Sequence, residues 1–133
     1  MVVDLLRPGG RLFIREGHPV LWAVDDSRED DLLVLRYPYV ERPEPDAFDE
    51  DGTYVRTDAT FTHTLSYSWN HGLGEIVSAL LNRGLRLTML VEHDSVPWEA
   101  LPGRMDALGG GEWRLTDRPW RVPHSYTLQA VKA

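Results

Sequence analysis

Residues 5–19, with the sequence LLRPGGRLFIREGHP, decide the fold of this chain. Residues 7–10 predict a type II turn, because Pro8 presets the second φ angle and Gly9 can take the positive φ of the third position. The run at residues 12–14 is continuously apolar, which is typical of a strand covered on both faces. Because ligands of open α/β sheets lie outside the carboxyl ends of their strands, we expect a binding site just after this strand.

Further along the chain, hydrophobic patterns predict two more strands and one helix. Residues 85–92 and 125–131 alternate apolar and polar side chains, as half-buried strands do. Residues 72–83 instead carry apolar side chains at helical spacing, which predicts a helix with one apolar stripe. Together with the strand at residues 11–16, these elements indicate an α/β fold in a single domain that spans residues 1–133.

Between the first strand and the helix lies a polar, acid-rich insertion, at about residues 20–68. It contains two β-prone runs, residues 32–37 and 54–67, separated by an Asp-Gly turn signal. We expect it to form a cap of one or two short strands over the substrate side of the sheet. The connection at residues 94–123 carries three tryptophans, and we expect it to pack against the domain.

The segment at residues 5–19 resembles the fifth strand of class I S-adenosylmethionine-dependent methyltransferases, in which the pattern LxPGGxLxxxExHP is common. Three later segments resemble the start of that family's last large helix, its sixth strand and its seventh strand: residues 67–77, 84–93 and 123–132. The resemblance implies the C-terminal half of such an enzyme. Its sheet would be a partial Rossmann-like sheet of strands 5, 7 and 6, with the last strand in the middle, one main helix and a β-rich cap insertion.

The same resemblance implies S-adenosylmethionine as the cofactor. The family holds this cofactor largely through a glycine-rich turn and an acidic residue in its first half, and the present chain begins too late to include them. The glycines at residues 109–111 follow no clear strand and open no clear helix, so they predict a loop. We therefore expect no cofactor-binding residue here, and weak or absent cofactor binding by the isolated chain.

Glu16 and His18 stand two residues apart at the end of the first strand, so their side chains point to the same side if the strand geometry persists. One interpretation is a substrate-facing pair in which His18 is a general base toward a hydroxyl or amine. The other interpretation is a hydrogen-bonded structural pair that fixes the turn before Pro19.

Trp22, Trp69 and His71 are predicted to line the same pocket as Glu16 and His18. An aromatic wall suits a planar or apolar acceptor and attracts the sulfonium cation of the cofactor by a cation–π interaction. The alternative is that these side chains are packing groups beneath the cap.

Composition limits the partners. A formal net charge of −7 argues against nucleic acid and against an anionic membrane surface, because both select basic proteins. No apolar run approaches the roughly 18 residues that span a bilayer. The chain has no cysteine, and its five histidines lack a metal-ligand spacing, so we expect no metal site. The lack of cysteine fits a cytoplasmic location.

Two classes of function are consistent with the sequence. The first is an enzyme: the C-terminal portion of a methyltransferase that modifies a small-molecule acceptor. The second is a non-enzymatic α/β module that binds a ligand or serves in dimerisation. In either case the strand at residues 11–15 presents an exposed edge, and such edges pair with other chains. We therefore expect a homodimer formed near residues 12–14 or through the apolar surface beside them.

Overall fold

The computed structural model describes residues 2–49, 58 and 60–133. In chain order, the elements are α1 (Val2–Leu5), β1 (Arg11–Gly17), α2 (Pro19–Ala23), β2 (Asp46–Asp49), β3 (Leu65–Ser68), α3 (Leu73–Asn82), β4 (Leu85–His93), β5 (Met105–Ala107), β6 (Trp113–Leu115), a 3-10 turn (Pro119–Arg121) and β7 (Ser125–Lys132). The architecture is mixed α/β, as expected. None of the helices within these residues has the length and apolar character that crossing a membrane requires.

The strand β7 lies at the centre of a three-stranded sheet, between β1 and β4, and runs antiparallel to both. Its Leu128 stands opposite Ile14 of β1. The predicted place of the last strand, between the other two, is therefore confirmed. The turn before β1 also forms as predicted, because the Gly10 amide donates to the Arg7 carbonyl at 2.8 Å and Gly9 has a φ of 74°.

One face of the sheet carries the main hydrophobic core beneath α3. Leu128 and Ala130 of β7 are almost fully buried there and pack with Leu80 of α3 and Leu85 of β4. Burial of a leucine contributes about 1.5–3 kcal/mol. These contacts, rather than helix propensity, stabilise a helix of only ten residues. The predicted helix is thus confirmed, and Gly84, with a φ of 80°, follows its end.

The other face of β1 is open, which corrects the prediction that this strand is covered on both faces. Leu12 and Ile14 pack against the main core, whereas Phe13 is 62% exposed. Successive side chains point to opposite faces of a strand, so an apolar run of three necessarily turns its middle residue away from the core. Nothing in the described part of the chain covers Phe13 enough to bury it.

A second hydrophobic cluster lies around the β5–β6 hairpin. Val96 and Leu101 are almost fully buried in it, and Leu21 of α2 joins them. The connection at residues 94–123 therefore packs against the domain, as predicted. Trp120 is an exception within this connection, since it is 78% exposed.

The insertion after α2 contributes one short hairpin, in which β2 and β3 pair antiparallel with Ala47 opposite Tyr67. The strand β2 is not one of the two predicted β-prone runs. Of the predicted run at residues 54–67, β3 covers the end, while residues 50–57 and 59 lie outside the described residues.

The other predicted run, residues 32–37, does not form a strand. Leu35 makes an isolated bridge to Val24. The amides of Arg36 and Tyr37 both donate to the carbonyl of Ala23, so the backbone turns at this point and does not continue a ladder.

Candidate functional site

A cavity of about 500 Å³ opens between the carboxyl end of β1, α2 and the β2–β3 hairpin. Aromatic and acidic side chains are prominent in its wall: Trp22, Tyr37, Phe48, Trp69 and Tyr126, with Glu16, Asp26 and Asp46. Its place outside the end of β1 is where α/β sheets bind ligands. Its volume is in the range of small-molecule sites.

Four of the five side chains predicted to share a pocket line this cavity: Glu16, Trp22, Trp69 and His71. His18 is not among the lining residues and is only 4% exposed. The strand ends at Gly17 and His18 is already the N-cap of α2, so the alternation that would set it beside Glu16 stops one residue early. The roles of these residues toward a substrate stay predictions.

His18 caps α2 from behind the cavity wall. Its Nδ1 accepts a hydrogen bond from the Val20 amide at 3.1 Å. Its Nε2 lies 2.9 Å from Oε1 of Glu92. Burial lowers the pKa of His18, and the charge of Glu92 offsets that shift only in part. Among the hydrogen bonds of the described residues His18 is not paired with Glu16, whose Oε1 accepts from the Gly17 amide, so the predicted structural pair does not form. The role of His18 as a general base stays a prediction.

The close packing of two indole rings sets the position of Trp22. It stacks on Trp98 with ring centroids 5.5 Å apart and planes inclined by 22°. Gly17 makes this approach possible, because a Cβ there would lie 2.9 Å from atoms of both rings. Trp22 and Trp69 remain 43% and 45% exposed. Trp22 thus packs on Trp98 and also keeps open surface at the cavity, and a ligand-binding role of the two tryptophans stays a prediction.

Asn70 connects the inserted segment that caps the cavity to α2 and to the start of α3. Its Nδ2 donates to the carbonyls of Pro19 at 2.8 Å and Pro38 at 3.0 Å. The N-cap of α3 is Gly72, which makes no side-chain hydrogen bond. Asn70 is thus a site residue that sequence reasoning missed, because no local pattern links an amide to carbonyls so far away along the chain.

His71 lies at the mouth of the cavity between two carboxylates. Its Nδ1 is 3.1 Å from Oε1 of Glu75 and 3.8 Å from Oε2 of Glu41. Two hydrogen bonds lower the pKa of Glu75: the one with Glu41 has the larger effect and the one with His71 the smaller. These three exposed residues offer donor atoms within 4.8 Å of one another and could hold a metal ion. No such group was expected from the sequence, since Glu41 is distant along the chain.

Tyr126 of β7 contributes a buried phenol to the cavity wall and was not predicted from the sequence. It stands opposite Glu16 in the sheet. Burial, and secondly the negative charge of Glu16, raise the pKa of Tyr126, so the phenol remains protonated at neutral pH. The register of two strands distant in sequence creates this pair.

The glycines at residues 109–111 connect β5 and β6, and two of them have positive φ angles. They do not line the cavity. These glycines form a hairpin loop between antiparallel strands, as predicted. Such a loop is unlike the strand-to-helix turn that cradles a nucleoside cofactor.

Comparisons with known proteins bear on the fold. No family model matches the sequence, and no curated protein matches it. Among solved structures, the chain is similar to a provisionally assigned S-adenosylmethionine-dependent methyltransferase from Listeria monocytogenes, with a TM-score of 0.58 and 14% sequence identity. The superposition covers 99% of this chain and 52% of that protein, so the chain spans about half of its length. The chain therefore has a methyltransferase-like fold.

Proposed function

We propose that this chain is the C-terminal, acceptor-binding portion of an S-adenosylmethionine-dependent methyltransferase that acts on a small molecule. The observation that carries the proposal is the match of 99% of the chain to 52% of a provisionally assigned methyltransferase. The cavity outside β1 supports it, because ligands of α/β sheets bind at this position. In this assignment β1, β7 and β4 correspond to strands 5, 7 and 6 of the family.

The cofactor of such an enzyme would be S-adenosylmethionine, and the described residues do not fit it fully. The glycine turn at residues 109–111 lies away from the cavity and between antiparallel strands. We therefore assign no cofactor-binding residue to this chain. A further segment, of the kind that makes up the rest of the Listeria protein, is expected to complete the cofactor site.

Within this enzyme, the residues of the chain bind and orient the acceptor. Trp22 and Trp69 offer aromatic surface to it, and Asn70 holds the cap against α2. Orientation of donor and acceptor alone can account for about 7–11 kcal/mol of a barrier. Positioning is therefore a sufficient contribution from this chain, and no general base is assigned to His18.

The second candidate is a non-enzymatic module that binds a small ligand or dimerises. The specific observation in its favour is that the cavity is formed within this chain alone. The exposed Phe13 on β1, a strand that pairs with β7 on one side, favours association through that strand.

The genomic sequence upstream of Met1 distinguishes the two candidates. An in-frame strand with a glycine-rich turn supports the enzyme, and a stop codon beside a ribosome-binding site supports the module. Isothermal titration then gives the biochemical test. The 133-residue chain should show no low-micromolar affinity for S-adenosylmethionine, whereas the longer reading frame should bind it. Low-micromolar affinity of the short chain would contradict the proposed incomplete site.

A further inference from the structure

We infer that the cavity binds an organic cation in which an ammonium group is attached to an aromatic or apolar body. The inference that this cation is the methyl acceptor rests on the proposed function, whereas the inference that the cavity binds such a cation does not. The charged side chains that line the cavity, Glu16, Asp26 and Asp46, are all acidic, and no Lys or Arg is among its lining residues.

The acidic groups differ in how far they are already neutralised. Asp46 is paired with Arg42 at 2.6 Å. Glu16 accepts a hydrogen bond from the Gly17 amide, and within the described ranges neither Glu16 nor Asp26 has a basic partner. Two carboxylates therefore face the cavity without a counterion from the protein. These carboxylates would repel an anionic ligand. A neutral ligand would displace the water that hydrates them without replacing the interactions of that water.

The aromatic groups of the wall favour the same ligand. Ammonium groups are attracted to the faces of tryptophan and tyrosine rings. The chain itself gives an example, since the Arg36 guanidinium lies 5.7 Å from the ring centroid of Tyr37. The half-exposed rings of Trp22 and Trp69 are open to a ligand in the same way.

A metal ion fits this wall less well than an extended cation does. Metal ligation needs several donor atoms close together, and the group with that spacing in the described part of the chain is Glu41, His71 and Glu75 at the mouth. The carboxylates of Glu16 and Asp26 do not belong to it. Carboxylates and aromatic rings in one wall suit a small amine, and the volume of about 500 Å³ accommodates one.

The test is a titration of the full chain, without cofactor, with three probes of similar shape. They are 2-phenylethylammonium, neutral 2-phenylethanol and anionic phenylacetate, and binding is followed by isothermal titration. We expect the ammonium probe to bind about 10-fold more tightly than the alcohol, because it gains cation–π and carboxylate attraction. S-Adenosylmethionine, a sulfonium cation, should bind more weakly than the ammonium probe.

Two charge-neutralising variants locate the effect. Glu16→Gln should weaken ammonium binding about threefold to fivefold and leave alcohol binding unchanged. Asp106→Asn, on β5 and away from the cavity, removes the same charge and should change neither affinity. Both sites are exposed, so melting temperatures should show that the fold is retained.

Several results would overturn the inference. These are equal affinity for ammonium and alcohol, preference for phenylacetate, equal effects of the two variants, or no ammonium binding at millimolar concentration. Tighter binding of S-adenosylmethionine than of the ammonium probe would assign the cavity to the cofactor instead. Failure of cofactor binding by the longer reading frame would contradict the proposed function and leave this binding result intact.

Discussion

Replacing Asn70 with alanine is expected to destabilise the fold by about 2 kcal/mol. The amide donates two hydrogen bonds, to Pro19 and Pro38, at 2.8 and 3.0 Å. Each such bond has a net value of about 1 kcal/mol, and the substitution leaves both carbonyls without this donor. Because the two acceptors lie on α2 and on the insertion, the loss should loosen the cap around the cavity as well as the fold.

Urea unfolding followed by tryptophan fluorescence measures this loss. The matched control is Asn82→Ala, at the exposed end of α3, where alanine is the better helix former by roughly 0.5 kcal/mol. We expect the unfolding midpoint to fall for Asn70→Ala and to stay level or rise slightly for Asn82→Ala.

A third variant, Asn70→Asp, separates the hydrogen bonds from packing. Aspartate has nearly the same shape, but its carboxylate would face two carbonyl oxygens and donate to neither. It should therefore be less stable than the alanine variant at neutral pH. A loss below about 0.5 kcal/mol for Asn70→Ala, or equal losses at Asn70 and Asn82, would refute the reasoning.

Three further predictions test the site, the buried histidines and the exposed strand. Gly17→Ala should lower the unfolding free energy by about 1–3 kcal/mol, because the new Cβ crowds two indole rings; an unchanged urea midpoint would contradict the 2.9 Å approach. Burial lowers the pKa values of His18 and His124 below the ordinary value of 6.5. As the pH is lowered past 6.5, the unfolded chain therefore takes up protons before the native one, and the free energy of unfolding decreases. Each histidine contributes at most about 1.4 kcal/mol per pH unit. A free energy of unfolding at about pH 5.5 that equals or exceeds the value at about pH 7 would contradict this expectation. Light scattering at micromolar concentration should give a dimer mass for the natural chain and a monomer mass for Phe13→Lys, and a monomeric natural chain would rule out pairing through β1.

The placement of His18 illustrates how a site is decided by distant contacts. The amide of His18 donates to the carbonyl of His124 at 2.9 Å, at the point where β1 ends and α2 begins. That bond and the N-cap to Val20 turn the ring inward, while Glu16 stays on the cavity wall. Sequence spacing alone treats the two side chains as equivalent, because it contains no information on where the strand stops.

The sequence by itself determined the elements whose pattern is local. The turn before β1 and the apolar stripe of α3 follow from neighbouring residues. The predicted alternation of β4 holds only as far as the irregularity between Leu87 and Met89, and β7 begins with four consecutive buried residues instead of alternating ones. The order of the strands was reached through the family resemblance, and the sheet confirms it.

Only the tertiary structure decided the composition of the cavity. The amide of Asn70 bridges two remote carbonyls, Tyr126 stands beside Glu16 by strand register, and Glu41 meets His71 across the insertion. These contacts join residues that are far apart along the chain and that follow no common periodicity. Their physical cause is the packing of the insertion against the end of the sheet, which brings aromatic and acidic side chains from separate segments around one space.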